Sequence, residues 1–179
     1  MVGLRGPGWW PFLDDGWSLP RDCAALNRHV LDELRRAPPD MLVLHAYWRS
    51  KRGFLRLLPE TLARLRQDLP KTRVVVVGGM PYWLASLPER IVATGSVGQF
   101  DGQIAAQLSG VVAADDGLAL VLADAIAAGQ VTFVRPTTLI CNGDQCPAHA
   151  GTLPYARDHG HLTVAGAVDM AARLKAAFD

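Results

Sequence analysis

The sequence predicts an α/β fold built on a mostly parallel sheet, and three observations carry that expectation. Short, nearly continuous apolar runs recur along the chain, helically periodic stretches separate them, and 50% of the 179 residues are hydrophobic. That much apolar material supports a domain with a core of its own, and strand alternating with helix is the pattern of a sheet covered by helices. Runs that are apolar at every position suit parallel strands buried on both faces, where in/out alternation is lost. The simplest organisation is one domain over residues 1–179.

Residues 2–4 read as the stub of a strand, and Gly6-Pro7-Gly8-Trp9-Trp10-Pro11 as a rigid, turn-rich segment with two large rings to bury. From Asp22 the pattern is helical: Leu26, Val30, Leu31 and Leu34 share one face, and Pro38-Pro39 stops the helix. Met41-Leu42-Val43-Leu44-His45-Ala46-Tyr47 is the first apolar run, with His45, Trp48 and Arg49 at its C-terminal end. In open α/β sheets that end borders the ligand crevice, so His45, Trp48 and Arg49 are candidate pocket residues, although a histidine satisfied in the core is the simpler role for His45.

Pro59 suits the first turn of a helix reaching about Leu69. Its Arg and Lys residues read as a solvated face. Arg73-Val74-Val75-Val76-Val77-Gly78-Gly79 is the clearest strand, β-branched and closed by glycines, and Met80-Pro81-Tyr82-Trp83 follows as a loop at the crevice edge. No Gly-Lys-Ser/Thr follows, so these glycines do not make a phosphate loop. Residues 101–114 and 117–128 read as two helices, with Asp101 as an N-cap and Asp115-Asp116-Gly117 as the turn between them. A strand over residues 131–134, a short apolar stretch Thr138-Leu139-Ile140 and a final helix capped by Thr163 complete the alternation.

Eighteen Lys and Arg nearly balance seventeen Asp and Glu, with no clustered basic run, which argues against a nucleic-acid partner. No apolar stretch reaches the roughly 20 residues that cross a bilayer. The first residues lack the basic start and apolar core of a secretion signal. Cys141 and Cys146 are close enough to close a small bridged loop, a pairing that presupposes an oxidising compartment. The alternative, a zinc site drawn from these cysteines with His149, His159 and His161, has a spacing that matches no standard finger; neither a metal nor another cofactor is expected.

The chemistry concentrates at Tyr155-Ala156-Arg157-Asp158-His159-Gly160-His161-Leu162-Thr163, where an acid and an imidazole three residues apart lie in a loop opening onto a helix. Such a pair can face one pocket while neither uses its polar groups in regular backbone pairing, which is what general-base chemistry needs. A bare Asp-x-x-His also arises by chance, with Asp158 capping a turn and the histidines in solvent. The flanking residues add to it. Tyr155, Asp158, His161-Leu162-Thr163 and Gly166-Ala167 resemble the last block of SGNH/GDSL hydrolases, in particular the extracytoplasmic SGNH domain fused to membrane acyltransferases that O-acylate envelope glycans. Its pattern is Tyr-x-Asp-x-x-His-Leu-Ser-x-x-Gly-Ala, and Thr163 stands in place of the serine. The strand end around Ala46 and Trp48 and the Val-Val-Gly-x-x-Pro stretch ending at Pro81 resemble the same family more loosely.

The resemblance implies a flavodoxin-like three-layer sandwich and a Ser-His-Asp triad in which Asp158 orients His161 and His161 takes the proton of a serine. It implies an acylated or acyl-accepting saccharide as substrate, a membrane acyltransferase domain as partner, and a periplasmic or otherwise extracytoplasmic location. His45, Trp48, Tyr82, Trp83 and Tyr155 are the candidate substrate contacts. The family's serine lies in a Gly-Asp-Ser-His block on its first strand, and this sequence contains no such block; its serines are Ser18, Ser50, Ser86, Ser96 and Ser109. The expectation is therefore an N-terminally truncated SGNH domain without its first strand. Ser96 lies between Gly95 and Gly98 but lacks the Gly-x-Ser-x-Gly spacing of a nucleophile elbow. The function expected is acyl transfer or ester hydrolysis on envelope saccharides; the alternative is a non-catalytic module that binds glycan or a partner.

Overall fold

The computed structural model describes residues 21–48, 55 and 57–178. The expectations for residues 2–4, Trp9, Trp10 and Arg49 lie outside them, as do Ser18 and Ser50. In chain order the elements are α1 (Arg21–Arg36), β1 (Met41–His45), α2 (Leu58–Asp68), β2 (Arg73–Val77), α3 (Leu87–Ala93), β3 (Gln103–Ala105) and α4 (Ser109–Ala127). There follow β4 (Val131–Val134), α5 (Pro136–Ile140), β5 (Gln145–Pro147), β6 (His149–Ala150), β7 (Leu153–Pro154) and α6 (Val164–Phe178). Contacts divide the chain into two compact units, one of described residues up to Gly78 with Asp116–Phe133, the other of Gly79–Asp115 with the described residues from Val134 onward.

The first unit carries a three-stranded sheet in the order β1-β2-β4. β1 and β2 run parallel in register, from Met41 opposite Arg73 to His45 opposite Val77. β2 is the middle strand, and burial of Val74, Val75, Val76 and Val77 explains why its sequence shows no alternation. Leu31 of α1, Leu42 of β1, and Leu65 and Leu69 at the end of α2 form one apolar cluster. Beside it, Arg35 bridges Asp32 of its own helix and Asp68 of α2 at 3.1 and 2.8 Å. Pro59 occupies the first turn of α2, where its missing N–H costs nothing.

The second unit corrects the sequence reading between residues 84 and 117. Helix α3 was not foreseen, although Ser86-x-x-Glu89 with Pro88 is a helix-start pattern, and the Ser86 amide does donate to Glu89 Oε2 at 3.2 Å. Asp101 caps no helix: it lies in a turn before β3, which pairs antiparallel with β5. The turn expected at Asp115-Asp116-Gly117 is absent, because α4 runs unbroken from Ser109 to Ala127. Asp115 is fully buried and its Oδ1 accepts the Gly79 amide at 2.8 Å, so its polarity serves a distant loop. Gly79 has no room for a side chain there, since a Cβ would lie 2.6 Å from Val111 Cγ1. The Cys141–Cys146 disulfide closes the short loop after α5, which removes both cysteines from the alternative zinc set. Among the described residues no helix is long and apolar enough to cross a membrane.

Candidate active site

Asp158 and His161 sit at the tip of a tightly closed loop. Ala156 and Leu162 form an isolated antiparallel bridge, and the Arg157 amide donates to the His161 carbonyl at 2.9 Å. The base of the loop is fixed by Thr163, whose amide donates to the Tyr155 carbonyl and whose hydroxyl donates to the Pro154 carbonyl at 2.7 Å. The same hydroxyl oxygen accepts the Gly166 amide at 3.1 Å, the N-cap that starts α6. Gly166 is required at this join, because a Cβ would overlap the Tyr155 carbonyl oxygen.

Within the tip, Asp158 Oδ1 accepts the amides of Gly160 and His161 at 3.0 and 2.8 Å, and Oδ2 faces His161 Nδ1 at 2.8 Å. The Gly160 amide, then the His161 amide and the imidazole, hold the Asp158 carboxyl down at about 2. A carboxylate ionised at neutral pH only accepts, so His161 Nδ1 carries its proton toward Asp158, and in the neutral form of the ring Nε2 holds the lone pair. The His161 side chain is 74% exposed, and among the described residues Nε2 has no hydrogen-bond partner. Acid, tautomer and open base nitrogen are the geometry of an oriented general base.

Three further contacts tie this tip to residues 82–87. The Trp83 amide donates to the His159 carbonyl at 2.8 Å, His159 Nδ1 donates to the Trp83 carbonyl at 3.0 Å, and the Leu87 amide donates to the Asp158 carbonyl at 3.1 Å. Tyr82 stacks on the His159 ring with centroids 5.7 Å apart. The structure thus brings Tyr82 and Trp83 to the Asp158–His161 loop. The Trp83 ring is fully buried, and Tyr82 is the partly exposed member of the pair.

Tyr155 is buried, and its hydroxyl donates to Asp169 Oδ2 at 2.9 Å; burial and then this carboxylate push its pKa up. Arg173 donates to the same oxygen at 2.8 Å, so Tyr155 anchors the loop to α6. His45 and Trp48 belong to the first unit. Trp48 is buried with its indole N–H donating to the Val77 carbonyl at 2.8 Å, and His45 Nδ1 lies 3.3 Å from the same oxygen. Desolvation lowers the His45 pKa.

No described serine is hydrogen-bonded to His161. Ser86 precedes α3, Ser96 shares a hydrogen bond of 2.9 Å with Thr94 in the turn after that helix, and Ser109 begins α4. His159 and the Gly160 amide were not read as part of the site from sequence. The Asp-x-Gly spacing, which favours a side-chain-closed turn, was the available signal for the amide.

The model of a known family, the SGNH domain fused to AT3 domains, matches residues 4–176, and the chain belongs to that family. Among solved structures, the periplasmic domain of a lipopolysaccharide acetyltransferase from Salmonella ser. Paratyphi A is similar with a TM-score of 0.68. The likeness covers 96% of this chain and 68% of that one at 19% identity, and it places the mixed α/β architecture with its parallel sheet in the flavodoxin-like SGNH fold. No curated protein matches.

Proposed function

We propose that the chain is an SGNH module of envelope acyl transfer, in which Asp158 orients His161 and His161 is the general base for transfer to, or hydrolysis of, an ester on a saccharide. The observation that carries this reading is the 2.8 Å contact of His161 Nδ1 with a carboxylate already held by two backbone amides, which leaves Nε2 open. In the reaction, Nε2 takes the proton of an attacking hydroxyl as its oxygen bonds to the acyl carbon, and returns it to the departing oxygen. In the family that hydroxyl is a serine of a Gly-Asp-Ser block, which does not occur in this sequence, so the reading assigns the acid and base roles to this chain and no nucleophile.

Support for a saccharide comes from the solved relative, named as a lipopolysaccharide acetyltransferase domain of the periplasm. A periplasmic location and a membrane acyltransferase partner are supported by that likeness and by the family's fusion to AT3 domains. Tyr82, with its ring at the surface beside the loop, is the substrate contact this reading favours. The partly exposed Tyr82 ring stacked on His159 beside the loop supports one other reading, a module that binds saccharide without turning it over.

The test is acetyl-ester turnover and saccharide binding by the protein from its native source and by its His161→Ala variant. Loss of at least about 100-fold in turnover is expected for a general base, and a loss of less than about tenfold would sink the role. Saccharide binding that survives the substitution, with no turnover in either protein, would select the binding module.

A further inference from the structure

We infer that His159 is the positioning residue of the Asp158–His161 pair, through the hydrogen bond its ring donates to the Trp83 carbonyl; this rests on the proposed role of His161. A carbonyl oxygen only accepts, so at 3.0 Å from it His159 Nδ1 must carry a proton. The Trp83 amide answers with a bond to the His159 carbonyl at 2.8 Å. Two residues 76 positions apart thus exchange a pair of hydrogen bonds as partners in a β-bridge do, with the imidazole N–H standing where the His159 amide would otherwise donate.

Trp83 is a firm point of attachment. Its ring is fully buried, and the preceding carbonyl, that of Tyr82, accepts the Gln107 amide at 2.6 Å. Asp158 and His161 are 38% and 74% exposed, so water competes for their contact and the geometry depends on the backbone that carries them. His159 lies between the two, and its clamp fixes the loop where Asp158 collects the Gly160 and His161 amides. Stacking on Tyr82 adds area, but the donor sets register, because a stacked ring slides and a hydrogen bond to a fixed carbonyl does not.

Two substitutions separate these contributions. His159→Phe keeps a ring for Tyr82 and removes the donor; His159→Asn removes the ring and keeps an N–H at similar reach. The first readout, independent of activity, is the share of the Nδ1–H tautomer of His161, taken from its ring nitrogen shifts by NMR on the whole protein at a pH where the ring is neutral. The second is kcat and KM for acetyl-ester turnover.

His159→Phe is expected to lower kcat about tenfold with KM unchanged, as a small misplacement of a reacting group does, and to lower the Nδ1–H share of His161. His159→Asn is expected to restore both, with kcat within about twofold of the parent. Retention of kcat and tautomer in His159→Phe overturns the inference, and so does a His159→Asn variant as impaired as the Phe one. If the parent protein turns over no ester, the functional reading fails by itself and the tautomer comparison still decides the clamp.

Discussion

His45 and His161 each end a short segment with Nδ1 turned toward an oxygen, one in the first unit and one in the second, yet the two oxygens differ in kind. His45 Nδ1 meets the Val77 carbonyl, which is neutral and can only accept, at 3.3 Å; His45 is itself exposed at the end of β1, and the atoms packed around its ring lower its pKa. His161 Nδ1 meets a carboxylate held ionised by two amides, at 2.8 Å and at the surface. A carboxylate partner stabilises the imidazolium that forms during base catalysis more than a neutral carbonyl does, and at His45 desolvation outweighs the carbonyl's help. Position at the C-terminal end of a strand therefore marks a place where chemistry is common, while the partner of Nδ1 marks the histidine equipped for it.

The sharpest way to break this comparison is to remove each ring in turn. His161→Ala is expected to lower acetyl-ester turnover by about 100-fold or more, and His45→Ala by less than about threefold. Equal losses, measured as kcat/KM on the same ester, would erase the distinction. Asp158→Asn comes next, at about tenfold or more in kcat with little change in KM, because an amide can present its NH2 to Nδ1 and favour the wrong tautomer.

Two glycines extend the comparison to stability. Gly166→Ala drives a methyl into the Tyr155 carbonyl at the foot of the Asp158–His161 loop and is expected to cost about 1–3 kcal/mol in urea unfolding. In the first unit, a Cβ on Gly117 would meet, among the described residues, only the tip of Leu55, at 3.4 Å, so Gly117→Ala is expected to be neutral or to stabilise α4 by up to about 1 kcal/mol. A Gly117→Ala loss as large as that of Gly166→Ala would show that the helix interior tolerates no added methyl.

The smallest effects are in the pH dependence of stability. His45 has a folded pKa below its ordinary value of about 6.5, so the folded state resists protonation and its contribution is lost as pH falls below that value. The Asp158 carboxyl is also depressed, and its contribution is present above the ordinary carboxylate range and lost as pH falls through about 2. Urea midpoints against pH should flatten below neutrality in His45→Gln and only at the acid end in Asp158→Asn. Interchange of the two windows would overturn both assignments.

Much of the fold was legible because its signals are local. The Val74–Val77 run, Pro59 in the first turn of α2 and the Pro38-Pro39 stop after α1 act through backbone preference and side-chain shape within a few residues. Asp158 and His161 were legible for the same reason, since three residues of turn are enough to bring a carboxylate to an imidazole. Asp115 was misread because its partner, the Gly79 amide, lies 36 residues away, and a buried Asp with a distant donor looks in sequence like a turn former.

What the sequence determined by itself was the alternation of elements, the short cysteine loop and the acid–imidazole pair. Tertiary structure alone decided that Trp48, Trp83 and Tyr155 bury their rings, that α4 runs through Asp115 and Gly117, and that His159 reaches the carbonyl of Trp83. The physical reason is range. Propensity and turn chemistry act over a few residues, whereas burial and the pairing of a buried polar group depend on which remote segment arrives beside it.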